Sequence, residues 1–190
     1  MGVDPRRDRW PQPRCLPALT PLIPPRKTVR MQDQASLIAV LNSTRFASGL
    51  EPAVQTRLAT LSRMVTADSG QELFREGDES EGLGIVIRGR IALRTYVGER
   101  GDLTILTVEP GDIYLWSALV PPYRATSSGV VIEPLEAITF PGPALRVALR
   151  EDPALAQAIY PRVLIAVERR LNATRAQLMD MFASKEVHAW

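Results

Sequence analysis

The stretch GQELFREGDESEGLGIVIRGRIAL, residues 70–93, decides how the chain is read. From Leu83 onward its apolar residues alternate. Leu83, Ile85 and Ile87 point one way, with Gly84, Val86 and Arg88 opposite. After Gly89 the alternation resumes, Ile91 and Leu93 against Arg90, Ala92 and Arg94. A period of two is the signature of a strand, so this is read as half-buried strands meeting at a glycine. Gly70, Gly77 and Gly89 suit turns of positive φ, or places where strands come too close for a side chain. The acidic run EGDESEG (76–82) between them reads as solvated surface.

Outward from this stretch the same rhythm continues. GERGD (98–102) is a turn, LTILTV (103–108) a strand, and PGD (110–112) a turn again. SSGVVIEP (127–134) and LEAITF (135–140) are read as two more strands. Many short strands with glycine turns predict an antiparallel roll or barrel rather than a parallel sheet. Upstream, residues 34–66 read as two short helices, SLIAVL (36–41) and a second opening at Pro52 with Leu58 and Leu61 on one face. They are joined by the turn-rich NSTRFASG (42–49). Downstream, ALRVALR after Pro143 is a short helix. EDP (151–153) then opens a long one, with Asp152 as cap and Pro153 in the first turn. Whether that helix is broken or restarted at Pro161 is left open by the sequence.

The long helix carries a seam of Tyr160, Leu164, Val167, Leu171, Thr174, Leu178 and Met181, in alternating steps of four and three. That is the spacing of a two-stranded coiled coil, and it predicts a homodimer through residues 160–181. Packing of the seam on the roll is the alternative. The expected class is thus mainly β with flanking helices (α+β). Its centre is an antiparallel β-roll of the jelly-roll kind over 34–150, followed by a dimerisation helix over 151–183 and a tail over 184–190. Residues 1–33 are expected to be a disordered arm. Residues 1–30 hold seven of the sixteen prolines, and seven Lys/Arg against two Asp/Glu, within a chain of net charge +2. Proline-dense sequence of this kind cannot run as helix. The arm is either a basic tether or a dispensable tail, including the case that translation starts at Met31.

Composition excludes several functions. The chain has 190 residues, with one cysteine (Cys15) and one histidine (His188). Disulfide frameworks, Cys/His zinc sites and Cys–His nucleophile pairs are therefore not expected. No histidine in the body can serve as general base, so no enzyme is expected. No apolar run approaches a membrane span of about 18 residues. A cytoplasmic protein is expected.

The run 70–93, followed by EPGD (109–112) and the coiled helix, resembles the cyclic nucleotide-binding domain of the catabolite-activator (CRP/FNR-like) superfamily over about residues 36–183. The resemblance implies a sensor whose cyclic phosphate is held in a short cassette. That cassette falls on IYLWSALVPPYRAT (113–126). Ser117 and Ala118 match its short helix, Arg124 its phosphate arginine, and Ala125 and Thr126 the small residues that follow. A hydroxyl on the long helix that reaches the base would be Thr174. The implied ligand is a cyclic nucleotide (cAMP or cGMP) or another small anion.

The departures are Leu115 at the family's glycine, Trp116 at its ribose-binding glutamate, and the rewritten loop VPPY (120–123). Each assignment has a bland alternative. Ser117 would only cap, Arg124 would be exposed or structurally paired, Trp116 would plug the pocket rather than stack on a ligand, and Thr174 would set helix register. The cysteine and histidine are misplaced for the haem or iron–sulfur chemistry of some relatives. The residues beyond the long helix leave no room for a helix-turn-helix, so direct sequence-specific DNA binding is not expected. Two functions remain at this stage: a regulatory sensor acting on a protein partner, and a dimeric scaffold with a degenerate pocket.

Overall fold

The computed structural model describes residues 28–30, 33–98 and 101–186. Strand β1 (Thr28–Arg30) leads to helices α1 (Gln34–Ser43) and α2 (Pro52–Leu61). Then come β2 (Arg63–Ala67), β3 (Glu72–Phe74), β4 (Gly82–Tyr96), β5 (Asp102–Val108), β6 (Ile113–Tyr114) and a one-turn 3₁₀ helix, Trp116–Leu119. Strand β7 (Ser128–Pro141) and helices α3 (Gly142–Glu151) and α4 (Pro153–Glu186) complete the chain. Every strand pairing is antiparallel, in the order β1-β2-β7-β4-β5, with β3 also on β7 and β6 on β4. The expected class, a β-roll flanked by helices with a long C-terminal helix, is the fold observed.

Helix starts follow their local signals. Asp33 accepts the Ser36 N–H at 2.6 Å, and Asp152 accepts the Leu155 N–H at 3.0 Å, as its cap position predicted. Pro52 opens α2 and Pro153 opens α4, where a missing N–H costs nothing. Helix α4 runs through Pro161 without a break, although a proline has no N–H to give the carbonyl one turn earlier.

The strand reading needs three corrections. The two strands expected at 83–96 are one, β4, which carries an irregularity in register on both sides of Gly89. Gly89 has φ +81°, and a Cβ there would lie 2.2 Å from the Pro134 carbonyl oxygen, so only glycine fits. The strands expected at 127–134 and 135–140 are likewise one strand, β7. Finally, the first half of β4 is buried on both faces, not one. Leu83 and Ile85 join Leu41, Leu58, Phe140 and Ile159 in a cluster between sheet and helices. Val86 joins Ile91, Leu93 and Leu135 inside the roll. Alternation alone leaves the Val86 face to solvent, yet it lines the interior of the roll, while the helices cover the Leu83 face.

Two glycines shape the roll interior. The Tyr114 ring lies on Gly84 and the Phe74 ring on Gly129. A Cβ would sit 2.0 Å from the first ring and 2.3 Å from the second. The two rings are parallel within 3°, their centroids 6.0 Å apart.

The expected boundaries shift slightly. Residues 28–30, assigned to the arm, pair with β2 from Thr28↔Thr66 to Arg30↔Met64. Asp33, also assigned to the arm, caps α1, while residues 1–27 with Cys15, residues 31–32 and the end of the tail with His188 lie outside the described residues. Helix α3 ends at Glu151 and α4 continues to Glu186, past the expected 183. On the predicted seam, Tyr160, Leu164 and Leu171 are exposed at 44, 67 and 56%. Val167 is partly buried against the helix-side cluster, and the Leu178 and Met181 side chains lie outside the described residues.

Candidate functional site

The site is built where the chain leaves β6. Leu115 adopts φ 54°, a left-handed conformation that a leucine enters only at a cost. The one-turn helix Trp116–Leu119 follows directly, tightened by Ala118 N–H to Leu115 O at 2.9 Å and Val120 N–H to Ser117 O at 3.2 Å. The φ at Leu115 explains why a glycine suits this position in the family that the sequence resembles.

The loop after the 3₁₀ helix is fastened to residues 77–80. Ser80 N–H donates to Tyr123 O at 2.7 Å, Ala125 N–H to Asp78 O at 2.9 Å, and Gly77 N–H to Ala125 O at 2.9 Å. The Ser80 and Ser117 hydroxyls meet at 2.7 Å in a buried pair. Arg146 of α3 closes the loop from outside. It donates to Ala118 O at 2.7 Å and sits 4.1 Å from the Tyr123 ring centroid, a cation–π contact.

The sequence-predicted residues are placed as follows. Ser117 does not cap the 3₁₀ helix but pairs with Ser80. Ala118 and Ala125 are buried. Arg124 is exposed, and its Nη1 donates to Gly77 O at 2.7 Å, so it braces the loop here rather than facing the roll. Thr174 Oγ1 donates to Arg170 O at 2.9 Å, one turn back along α4. Trp116, Ser117 and Thr126 come together around a small void between the 113–127 segment, β3, β4 and α4.

That void has a volume of about 10 Å³ and is closed by Phe74, Leu93 and Leu115 on the roll side. It is barely large enough for one water. Arg170 from α4 enters it from the other side, a residue that sequence reasoning passed over. Arg170 Nη2 donates to Ile113 O at 2.8 Å. Its Nε is sealed from solvent and is the one buried side-chain polar atom without a partner among the described residues. Burial lowers the Arg170 pKa below the usual arginine value, opposed by the charge of Asp112. Asp112 itself lies 3.7 Å from Arg45 in an exposed ion pair. A guanidinium keeps its proton in proteins, so Arg170 is a partly buried cation with one sealed donor unmet. The signal in the sequence was weak: an arginine one turn before Thr174 looks like any solvated helix residue.

Among the described residues no group of His, Cys, Asp and Glu could hold a metal, and no helix is long and apolar enough to cross a membrane. The comparisons now bear on the site. Residues 64–152 match the cyclic nucleotide-binding domain family. The chain is 27% identical over 135 residues to a CRP-like cAMP-activated global transcriptional regulator of Mycobacterium tuberculosis. The match covers 70% of this chain and 58% of the regulator, so the chain spans little more than half of that relative. A cyclic nucleotide-binding domain from Methylobacillus flagellatus superposes with a TM-score of 0.67 at 18% identity, over 78% of this chain and 83% of its own. A cAMP-binding acyltransferase from Mycobacterium smegmatis matches at 26% identity and a TM-score of 0.54, over 66% of this chain and 39% of its own. Over residues 64–152 the chain is thus similar in sequence to cyclic nucleotide-binding domains, and it shares their fold.

Proposed function

We propose that this chain is a non-catalytic sensor. Its roll binds a small phosphate-bearing ligand of the cyclic nucleotide class where the cassette meets α4, and α4 passes the event to a second copy or another protein. The observation that carries this reading is Arg170, a cation with an unmet donor beside the hydroxyls of Ser117 and Thr126. An oxyanion there would accept from Arg170 Nε, and charge-assisted hydrogen bonds of this kind are the strong ones. The named ligand of the mycobacterial regulator supports the class.

The void must widen before a nucleotide enters, which requires Trp116, Phe74 or Arg170 to move. Arg170 is bonded to Ile113 at the foot of the cassette, so ligand entry and the position of α4 are linked. A ligand that prefers the widened state shifts the helix by its difference in affinity for the two states. Trp116 stands where the family has its ribose partner. An unmade buried hydrogen bond costs about 1–3 kcal/mol, so cAMP binding is expected to be weaker than in a domain that keeps the carboxylate. The exposed seam residues Tyr160, Leu164 and Leu171 support pairing of two α4 helices.

The test is calorimetric titration of cAMP and of cGMP into wild type, Arg124→Ala and Arg170→Ala. Micromolar binding by wild type, lost in Arg170→Ala and changed less than about threefold in Arg124→Ala, is the expected result. No heat and no shift in melting temperature at millimolar ligand would sink the reading, because even a weak site stabilises the fold at that excess.

A further inference from the structure

The loop VPPY (120–123) departs from the family pattern, and none of it lines the void at Arg170. Val120, Pro121 and Pro122 are exposed, but Tyr123 is half-buried. Among the described residues, two that are not glycine have positive φ: Leu115 at 54° and Tyr123 at 59°. They bracket the segment that holds the 3₁₀ helix. A bulky residue in this conformation is uncommon, and it persists only where its surroundings over-determine it.

Three contacts do this at Tyr123. Its N–H donates to Val120 O at 2.9 Å, and its carbonyl accepts from Ser80 N–H at 2.7 Å. Its ring lies under the Arg146 guanidinium, 4.1 Å from the centroid. The same guanidinium donates from Nη1 to Ala118 O at 2.7 Å. A flat guanidinium can stack by its face and donate by its edge, which a lysine cannot do. Ala118 O lies in the last turn of the 3₁₀ helix, where carbonyls have no partner within the helix. Helix α3 is itself fixed to the residues leading into β4, since Gly142 N–H donates to Glu81 O at 2.8 Å. A Cβ at Gly142 would lie 3.0 Å from Arg146 Nη1, so the glycine leaves the guanidinium its path. These bonds close a ring: α3 to residues 80–81, those to Tyr123 and Ser117, and Arg146 back to the cassette. On its inner face α3 places Leu145, Ala148 and Leu149 in the cluster that Trp116 and Leu119 pack against.

We propose that Arg146 is a positioning residue for the ligand site. Stacked on Tyr123 and bonded to Ala118 O, it holds the 3₁₀ helix and the loop in one arrangement and ties that arrangement to α3. A change in the cassette on ligand entry must break this clasp or carry α3 with it. A shift of α3 reaches Trp116 and Ser117 by the same route. The effect on affinity rests on the ligand reading proposed above; the clasp itself does not.

The test uses the full chain with Trp10→Phe and Trp190→Phe, so that Trp116 is the one remaining tryptophan. Acrylamide quenching of its fluorescence is read without ligand, well below the melting temperature. Arg146→Met is expected to raise the quenching constant at least about twofold. Arg146→Lys should recover less than half of that change, because it keeps the charge but not the stacked fork. Tyr123→Leu should act in the same direction, and serves should Arg146→Met fold poorly. The two changes together should match Arg146→Met alone, since both act through one contact. Arg150→Met, at an exposed position of the same helix, should leave quenching unchanged. Titration of cAMP into Arg146→Met should then show about fivefold weaker binding, the worth of one ordinary hydrogen bond. Unchanged quenching in Arg146→Met and Tyr123→Leu overturns the clasp, whatever the protein binds. Full recovery by Arg146→Lys, or strict additivity of the two changes, overturns the stacked geometry. Equal cAMP affinity in wild type and Arg146→Met overturns the tie to the site. No binding by wild type sinks the ligand reading and the affinity effect with it, while the quenching result still decides the clasp.

Discussion

Arg124 donates to the carbonyl of Gly77 at 2.7 Å, across a loop pairing that also joins Glu79 to Arg124 as a β-bridge. The arginine that family resemblance assigns to a phosphate is thus part of the brace that holds the cassette loop. Arg124→Ala is expected to destabilise the fold by about 1 kcal/mol, the usual value of one hydrogen bond. Chemical denaturation of the two proteins measures this directly. A loss of ligand affinity with no change in stability would return Arg124 to the binding set.

The Ser80–Ser117 pair gives a sharper case. Ser80→Ala leaves a buried hydroxyl on Ser117 without its partner, which costs about 1–3 kcal/mol. Removing both hydroxyls is expected to cost less than the sum of the single changes. A double-mutant cycle in urea shows whether the two groups are coupled; strict additivity would argue against the pair.

Gly84 tolerates no side chain. A Cβ would stand 2.0 Å from the Tyr114 ring, whose position is fixed by the parallel ring of Phe74. Gly84→Ala is expected to cost more than about 3 kcal/mol through overpacking. Gly84→Ala combined with Tyr114→Ala should recover part of that loss, read as melting temperature.

Burial pushes the Tyr114 hydroxyl above its ordinary pKa of 10.0, with a further push from the charge of Glu81. The unfolded chain releases this proton near pH 10, while the folded chain keeps it. Its contribution is therefore complete below pH 10 and falls away as pH rises above it, by about 1.4 kcal/mol per unit. Melting curves from pH 9 to 11 should decline more steeply for wild type than for Tyr114→Phe. Parallel curves would mean that Tyr114 titrates normally.

The seam on α4 predicts assembly. Leu164→Glu with Leu171→Glu alters side chains that are exposed in the single chain, so the fold should survive. Sedimentation is expected to show a dimer for wild type and a monomer for the double variant. A monomeric wild type at high micromolar concentration would remove the dimer from the mechanism.

Much of the fold was legible because strand and helix periods are local. Ile91 and Leu93 alternate in sequence and lie inside the roll, Gly89 marks the bulge it suggested, and Asp152 caps the helix it precedes. The misreadings share a cause: information carried by distant partners. Burial of both faces of β4 depends on helices on one side and strands of the roll on the other, which join it only in space. Strand β1 was hidden by the prolines beside it, since Thr28–Arg30 gains its character from pairing with β2. At the site, the sequence left open whether Arg124 is structurally paired, because its partner Gly77 is 47 positions away. It missed Arg170 for the same reason, since the partner carbonyl of Ile113 is 57 positions distant.

The burial of α4 changes along its length. Leu155, Ile159 and Val163 are sunk in the core at 0, 0 and 5% exposure, whereas from Leu164 onward the described side chains are exposed or only partly covered. For a pivot at Val163, the two arms of the helix are unequal. Arg170 lies about 10 Å beyond it and Glu186 about 35 Å beyond it, at 1.5 Å per residue. A shift of one ångström at Arg170 would become roughly three at the far end of the helix, a threefold gain set by the lengths of the two arms.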